Sequence, residues 1–251
     1  HTHIHTHRLV DEELEGSDVT DPEETIRTEN TRKLIVAINV STTNMFEGIR
    51  ENLKERIQKR SNVLQREANF QRQCTLLELP KYLFIRFNRF FWRSDTSIKA
   101  KIVRRVVFPF DLDIFELTGG TLYKQLEKRR FQHSSILKQS IGGAVGTAVD
   151  TVETKETPDT DDTAVPTPSY IGIDSLGHYS LTGIITHKGR NADSGHYIAW
   201  VLTKDVWYKY DDQTVISVTP DEIAKLCGGG DWHTVYIALY VRNDQFFATT
   251  K

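Results

Sequence analysis

The chain has 251 residues, enough for one or two domains, and 38% of them are hydrophobic against 26% charged. With 32 basic and 34 acidic side chains its formal charge is -2, which lacks the basic excess of a nucleic-acid binder, and apolar runs such as residues 34–38 are far too short to span a bilayer. Two cysteines, Cys74 and Cys227, with no CxxC pair, argue against a disulfide framework or a zinc-thiolate site and for a reducing compartment. The opening residues do not read as a secretory signal peptide.

Residues 1–7 alternate His and Thr, with Ile4 as the one exception. CAC encodes His and ACA encodes Thr, so a CA dinucleotide repeat would produce this run. The expectation is a gene-model start inside such a repeat, with residues 1–10 a non-native tail. The alternative is a metal-binding His tract, since alternate positions of a strand share a face.

Residues 11–30 are acidic and polar, with Pro22 as a breaker. Residues 33–40 are rich in branched side chains and read as a strand. Ser41, Thr42, Thr43 and Asn44 offer N-cap side chains. Phe46, Ile49, Leu53 and Ile57 follow at helical spacing, with Arg and Glu on the other face, and predict an amphipathic surface helix. Leu79-Pro80 introduces a strand over residues 82–87, and residues 101–103 and 106–108 form a second β-rich stretch ending at Pro109. A helix is predicted around residues 122–130. Residues 138–168 are dominated by Thr, Asp, Gly and Pro and are expected to be a disordered insertion. From Tyr179 through Val241 the chain is β-rich again.

The chemistry concentrates in the last third. Residues 198–202 and 206–210 read as a hairpin closed by a tight turn at Thr203 and Lys204. In that register His196 falls opposite Asp211, with Cβ atoms about 5 Å apart. A longer turn would shift the register by a residue or two and leave the pair as neighbours. A carboxylate bonded to one ring nitrogen fixes the imidazole tautomer and frees the other nitrogen to take a proton from a nucleophile. Gly195 would let backbone pass close to a substrate. On spacing alone an ordinary hairpin with an incidental His–Asp pair is the favoured reading. His133, on an expected exposed helix, His178 and His187, flanking a strand, and His233, in a turn, read as structural or solvated. No HExxH, P-loop or GxSxG pattern is present, so neither a metal nor a cofactor is expected.

Ser194-Gly195-His196-Tyr197, followed by Trp207-Tyr208-Lys209-Tyr210-Asp211-Asp212 with Val215 and Ser217, resembles the His box of the ubiquitin-specific proteases. Leu79-Pro80-x-Tyr82-Leu83-x-Ile85-x-Phe87-x-Arg89-Phe90 is similar to the family's central strand motif. Three stretches resemble the proteasome-associated branch whose members carry an N-terminal ubiquitin-like domain. They are Arg89-Phe90-Phe91-Trp92 with the Lys101 to Pro109 segment, Thr186-His187-Lys188-Gly189-Arg190, and the Gly228 to His233 run. The resemblance covers residues 11–243, with 138–168 unmatched in detail and 244–251 a tail.

The resemblance implies an α+β, papain-like cysteine protease fold with fingers and palm present and most of the thumb missing. It implies hydrolysis of the isopeptide bond after ubiquitin's C-terminal glycine. His196 would be the general base, Asp211 its orienter and Asp212 a supporting acid. Two loops would gate the channel for the ubiquitin tail, one carrying Phe90, Phe91, Trp92 and Arg93, the other Gly189, Arg190, Ser194 and Gly195. The implied partners are ubiquitin, ubiquitinated proteins and the 26S proteasome regulatory particle, with no nucleic acid and no membrane. The implied location is the cytoplasm, with the nucleus left open.

The family's nucleophile sits in an Asn-x-Gly-Asn-Thr-Cys box, and no such box occurs here. Neither Cys74 nor Cys227 opens a helix after such a box, where a helix N-terminus would lower the thiol pKa. No nucleophile is therefore expected in this chain, which is read as a truncated, inactive part of a deubiquitinase. The alternatives are a Cys-less pseudoprotease that binds ubiquitin or the proteasome, and a scaffold with no ubiquitin role.

Overall fold

The computed structural model describes residues 6–14, 24–95, 97–142, 176–190, 194–230 and 232–244. Strands dominate, because apolar and polar side chains alternate along most of the chain. In chain order they are β1 (Thr6–Leu14), β2 (Glu24–Thr31), β3 (Leu34–Val36), helix α1 (Met45–Asn52), β4 (Lys54–Arg60), β5 (Glu67–Leu76), β6 (Tyr82–Phe87), β7 (Phe90–Arg93), β8 (Ile98–Lys101) and β9 (Asp111–Asp113). Helix α2 (Gly120–Gly142) follows, then β10 (His178–Lys188), β11 (His196–Thr203), β12 (Val206–Asp211), β13 (Thr214–Val218), the short helix α3 (Pro220–Ala224) and β14 (Thr234–Arg242).

The strands form two main sheets, which correspond to the fingers and the palm of the expected α+β fold. The four-stranded sheet has the order β2-β1-β5-β4. The eight-stranded sheet runs β13-β12-β11-β10-β14-β6-β3, with β9 paired to the start of β10. Its pairs are antiparallel except β3–β6, which is parallel. β7 and β8 make a separate two-stranded ribbon. One core joins Val36, Ile85, Phe87, Trp200, Ala238 and Tyr240 of the large sheet to Met45 and Ile49 of α1. Val10, Cys74 and Leu76 carry that core into the small sheet. Gly48 lets α1 lie flat on β3, since a Cβ there would collide with Val36 and the Ala37 carbonyl.

The strand over residues 82–87 stands where the sequence places it. Other boundaries move. Helix α1 is capped by Asn44, whose side chain accepts from the Glu47 N–H, and it ends at Asn52. Ile57 is not on the helix. Residues 54–60 pair with β5 instead, and Ile57 packs on Phe70 and Ala68 in a second small cluster. Only residues 34–36 of the 33–40 stretch are strand. Of the residues 101–108, Lys101 ends β8 and Val107 makes one bridge to Asn44; the rest is irregular. The predicted helix at 122–130 is part of the longer α2, so residues 138–142 of the expected insertion are helical backbone. The remainder of that insertion lies outside the described residues. β1 starts at Thr6 and buries Val10, so the expected boundary at residue 10 falls inside a strand. Residues 1–5 and the tail beyond Asp244 also lie outside the described residues. His178 and His187 lie within β10 rather than beside it.

Candidate active site

The β11–β12 hairpin turns at Lys204 and Asp205, both with positive φ (49° and 64°), the signature of a two-residue primed turn whose twist matches the strands. The turn sits one residue later than the spacing suggested, so Ala199 pairs with Tyr210 and Trp200 with Lys209. His196 and Asp211 are therefore diagonal neighbours, not direct partners. Side chains two positions off register on one face still meet when one of them is long. His196 Nε2 lies 2.6 Å from Asp211 Oδ1.

The second oxygen of Asp211 is also engaged, by Lys209 Nζ at 2.8 Å. The hydrogen bond from Lys209, then that from His196, hold the Asp211 carboxyl down to about 2, so it is ionised across the physiological range. An ionised carboxylate only accepts, which places the His196 proton on Nε2 and the lone pair on Nδ1. Nδ1 has no hydrogen-bond partner among the described residues, and the side chain is 41% exposed. Asp212 sits in the turn between β12 and β13 with φ 51°, 80% exposed, its Oδ2 at 3.9 Å from the same Nε2. The ligand atoms of His196, Asp211 and Asp212 lie within 4.8 Å of one another. The short His–Asp bond accounts for two of them, and the ammonium on Asp211 opposes a cation there.

Behind this pair lies a buried polar layer. Trp200 Nε1–H donates to Thr186 Oγ1 at 2.9 Å, and the His233 Nδ1 is 3.4 Å from the same hydroxyl. Burial, with the positive charges of Lys209 and Lys188, pushes His233 down to about 4, so it is neutral.

The profile of the ubiquitin carboxyl-terminal hydrolase family matches residues 11–240, a span that holds most of both sheets and the His–Asp pair. The chain belongs to that family. Among curated relatives it is 35% identical over 228 residues to ubiquitin carboxyl-terminal hydrolase 7 of Arabidopsis thaliana, covering 87% of this chain and 48% of that protein. It is 33% identical over 231 residues to ubiquitin carboxyl-terminal hydrolase 14 of Caenorhabditis elegans, covering 90% and 46%. It is 32% identical over 224 residues to ubiquitin carboxyl-terminal hydrolase 6 of Schizosaccharomyces pombe, covering 82% and 48%. The chain thus spans about half the length of the curated relatives it matches.

Within this hydrolase domain the β7–β8 ribbon, whose first strand is the Phe90–Arg93 stretch, is bonded to residues 187–190. Lys101, at the end of the β7–β8 ribbon, donates its backbone N–H to the Arg190 carbonyl at 3.0 Å. Its ammonium donates to the His187 carbonyl at 2.6 Å. Phe90 packs edge-on against the His187 ring at 5.3 Å. Phe91 and Trp92 point outward, 46% and 64% exposed, and Arg93 pairs with Asp95 at the surface. Gly189 has φ +125°, and Ser194 and Gly195 are exposed; residues 191–193 lie outside the described residues. The His187 ring is buried against Tyr197, and neither of its nitrogens has a hydrogen-bond partner among the described residues. Burial and the nearby Lys101 charge lower its pKa.

Both cysteines are buried. Cys74 lies in β5, where burial raises its thiol pKa. Cys227 Sγ donates to the Ala224 carbonyl at 2.6 Å. Neither is hydrogen-bonded to His196. Two contributors escaped the sequence reading of roles. Lys209 was visible only as part of a motif, although it shares a strand face with Asp211. Arg89 is 1% exposed and donates to the carbonyls of Val235, Ile102, Arg104 and Cys227, a placement no local spacing reveals.

Proposed function

We propose that this chain is part of a cysteine-type deubiquitinase that hydrolyses the isopeptide bond after the C-terminal glycine of ubiquitin. The observation that carries the reading is the His196 Nε2–Asp211 bond, which leaves Nδ1 as an exposed base. In this reading Nδ1 removes the proton of a thiol, and the thiolate attacks the isopeptide carbonyl carbon. The resulting imidazolium returns the proton to the departing lysine amine. A thioester to ubiquitin remains, and His196 then activates water to release it. Asp211 holds the tautomer throughout, and Asp212 lends further negative charge to the imidazolium.

Phe90, Phe91, Trp92 and Arg93 on one side, and Gly189, Arg190, Ser194 and Gly195 on the other, gate the approach of the ubiquitin tail. The bonds from Lys101 to both Arg190 and His187 support treating the two loops as one device. The substrates are ubiquitinated proteins held at the 26S proteasome regulatory particle, in the cytoplasm with the nucleus as a further location. This last step follows the branch resembled by the Gly228 to His233 run and its companions. Neither buried thiol is bonded to the base, so the reading places the nucleophile outside these 251 residues and holds the chain alone to be inert.

The test uses the protein made from the full transcript beside the 251-residue chain, each treated with ubiquitin bearing a thiol-reactive C-terminal group. The full protein should label and should cleave ubiquitin amides. His196→Ala should reduce kcat by ~10⁴-fold or more. The 251-residue chain should not label. A His196→Ala protein keeping more than about a tenth of the activity overturns the assignment of the base. Labelling at Cys74 or Cys227 would put the nucleophile inside the chain. A full protein that binds ubiquitin without reacting would be a pseudoprotease.

A further inference from the structure

We propose that Lys209 is a positioning residue of this site, its ammonium clamped between the Trp200 indole and Asp211 Oδ2 so that Oδ1 faces His196. The inference rests on the reading of His196 as base and Asp211 as its orienter. A carboxylate turns readily about its terminal torsion, which is broad and roughly two-fold. One hydrogen bond to His196 would leave it free to swap oxygens or tilt away. Two bonds on opposite oxygens, 2.6 Å from His196 and 2.8 Å from Lys209, fix its plane.

Lys209 is itself fixed. It lies two residues before Asp211 on β12, so the two side chains share a face. It pairs directly with Trp200 across the hairpin, and its ammonium sits 5.8 Å from the indole centroid. A cation over an indole face gains most when it is partly desolvated, and the Lys209 side chain is 21% exposed. The indole is held in turn by its bond to Thr186. Thr186, Trp200, Lys209 and Asp211 therefore form a rigid line from the buried side of β10 to the imidazole. An ordinary surface ion pair contributes little because two long side chains must be ordered to make it. Here the aromatic packing has already ordered the lysine.

The clamp also selects between two acids. Asp212 Oδ2 is 3.9 Å from the same Nε2 and would accept its proton if Asp211 swung away. The other titratable groups coupled to the clamp are Lys188 on β10, the neutral His233 before β14 and Glu222 on α3. Lys209 contributes to lowering the pKa of both His233 and Glu222. None of these three replaces the contact to Asp211 Oδ2.

The experiment reads the His196 tautomer directly, by nitrogen NMR of the ¹⁵N-histidine-labelled 251-residue chain at neutral to alkaline pH. The parent should hold the Nε2–H form. Lys209→Met should shift the balance about threefold toward Nδ1–H, and Lys209→Arg should restore it. In the full-transcript protein the Met variant should lower kcat about tenfold with KM changed less than twofold, again with rescue by Arg. The His187 and His233 signals in the same spectra report folding, and Lys209→Gln replaces the Met variant if that one does not fold. A tautomer balance unchanged in a folded Met or Gln variant overturns the proposal, even if stability falls. Because the spectrum is read without any turnover, a failure of His196 as base in the hydrolysis assay would not be mistaken for a failure of the clamp.

Discussion

Gly195 occupies a position with no room for a side chain. Its φ is +151°, and a Cβ there would collide with the His187 ring and the Lys188 carbonyl. Backbone and buried ring on both sides leave nothing flexible to yield, so Gly195→Ala must displace the segment that carries His196. A misplacement of about 1 Å can cost ~100-fold in rate. The expected outcome is a loss of that size in kcat of the full-transcript protein, and a thermal midpoint lowered by the equivalent of ~1–3 kcal/mol for an overpacked site. Activity within about twofold of the parent would mean that the loop is not held as described. The motif singles out Gly195 and His196, but the reason glycine is needed lies in the His187 ring, whose position against Gly195 no local spacing reveals. Asp211 was legible as a neighbour of His196. Its register was not, because a turn at residues 204–205 rather than 203–204 depends on which two residues accept positive φ.

At the scale of elements, the small sheet is held across three strands by one buried acid. Glu12 on β1 is 3% exposed at its side chain and accepts from Lys59 of β4 at 2.9 Å and Arg72 of β5 at 2.8 Å. Lys59 also lies over the Phe70 ring at 4.1 Å, so the ion pairs and the small apolar cluster support each other. Glu12→Gln leaves two cations facing a neutral amide. Because Lys59 and Arg72 keep 29% and 26% exposure and can be partly rehydrated, the expected cost is ~2 kcal/mol, below that of breaking a fully buried pair. Chemical denaturation measures the total. Amide exchange should accelerate in β1, β4 and β5 and stay unchanged in β10 and β14, and uniform acceleration would argue against a local role.

The same sheet explains why one helix was drawn too long. Phe46, Ile49 and Leu53 belong to α1 or its cap, and Ile57 continues their spacing by coincidence. Its burial is set by Phe70, thirteen residues further along, and a local window cannot see that partner. The strand at 82–87 was legible in full because its alternation is local and every second side chain meets the core.

At the scale of the whole molecule, Arg89 ties β6 to the segment after β8, to the turn at Cys227 and to the start of β14 through its four carbonyl contacts. Burial lowers its pKa to about 10, still charged at neutral pH. Arg89→Met would remove the guanidinium donor from four carbonyls, of which that of Cys227 keeps the Val106 N–H, an expected loss of ~3 kcal/mol by denaturant titration.

The other global consequence is acid sensitivity. His233 is buried and neutral, its pKa depressed from 6.5 to about 4 by burial and by Lys209 and Lys188. His187 is buried and shifted in the same direction, by burial and Lys101. A histidine whose folded pKa lies below its unfolded value takes up a proton on unfolding in the window between the two. The unfolded state then binds more protons, so stability rises with pH through that window and is lost as pH falls. For His233 the contribution is fully present above about pH 6.5 and is lost progressively down to about pH 4, with a slope of up to ~1.4 kcal/mol per pH unit. Asp211 acts in the same sense but lower, because its folded pKa is about 2: its contribution is present above the ordinary carboxylate value near 3.8 and is lost as pH falls toward 2. The two effects are therefore separable by pH. Denaturation free energies of the chain between pH 7 and 4.5 should fall steadily, and His233→Phe should reduce the proton uptake at pH 5 by about one per molecule whatever it does to stability at pH 8. The slope rather than the absolute stability is the readout, since Phe also removes the contact to Thr186. An unchanged slope in the Phe variant would mean that His233 is already charged in the folded protein, and the polar layer behind the β11–β12 hairpin would then have to be hydrated rather than dry.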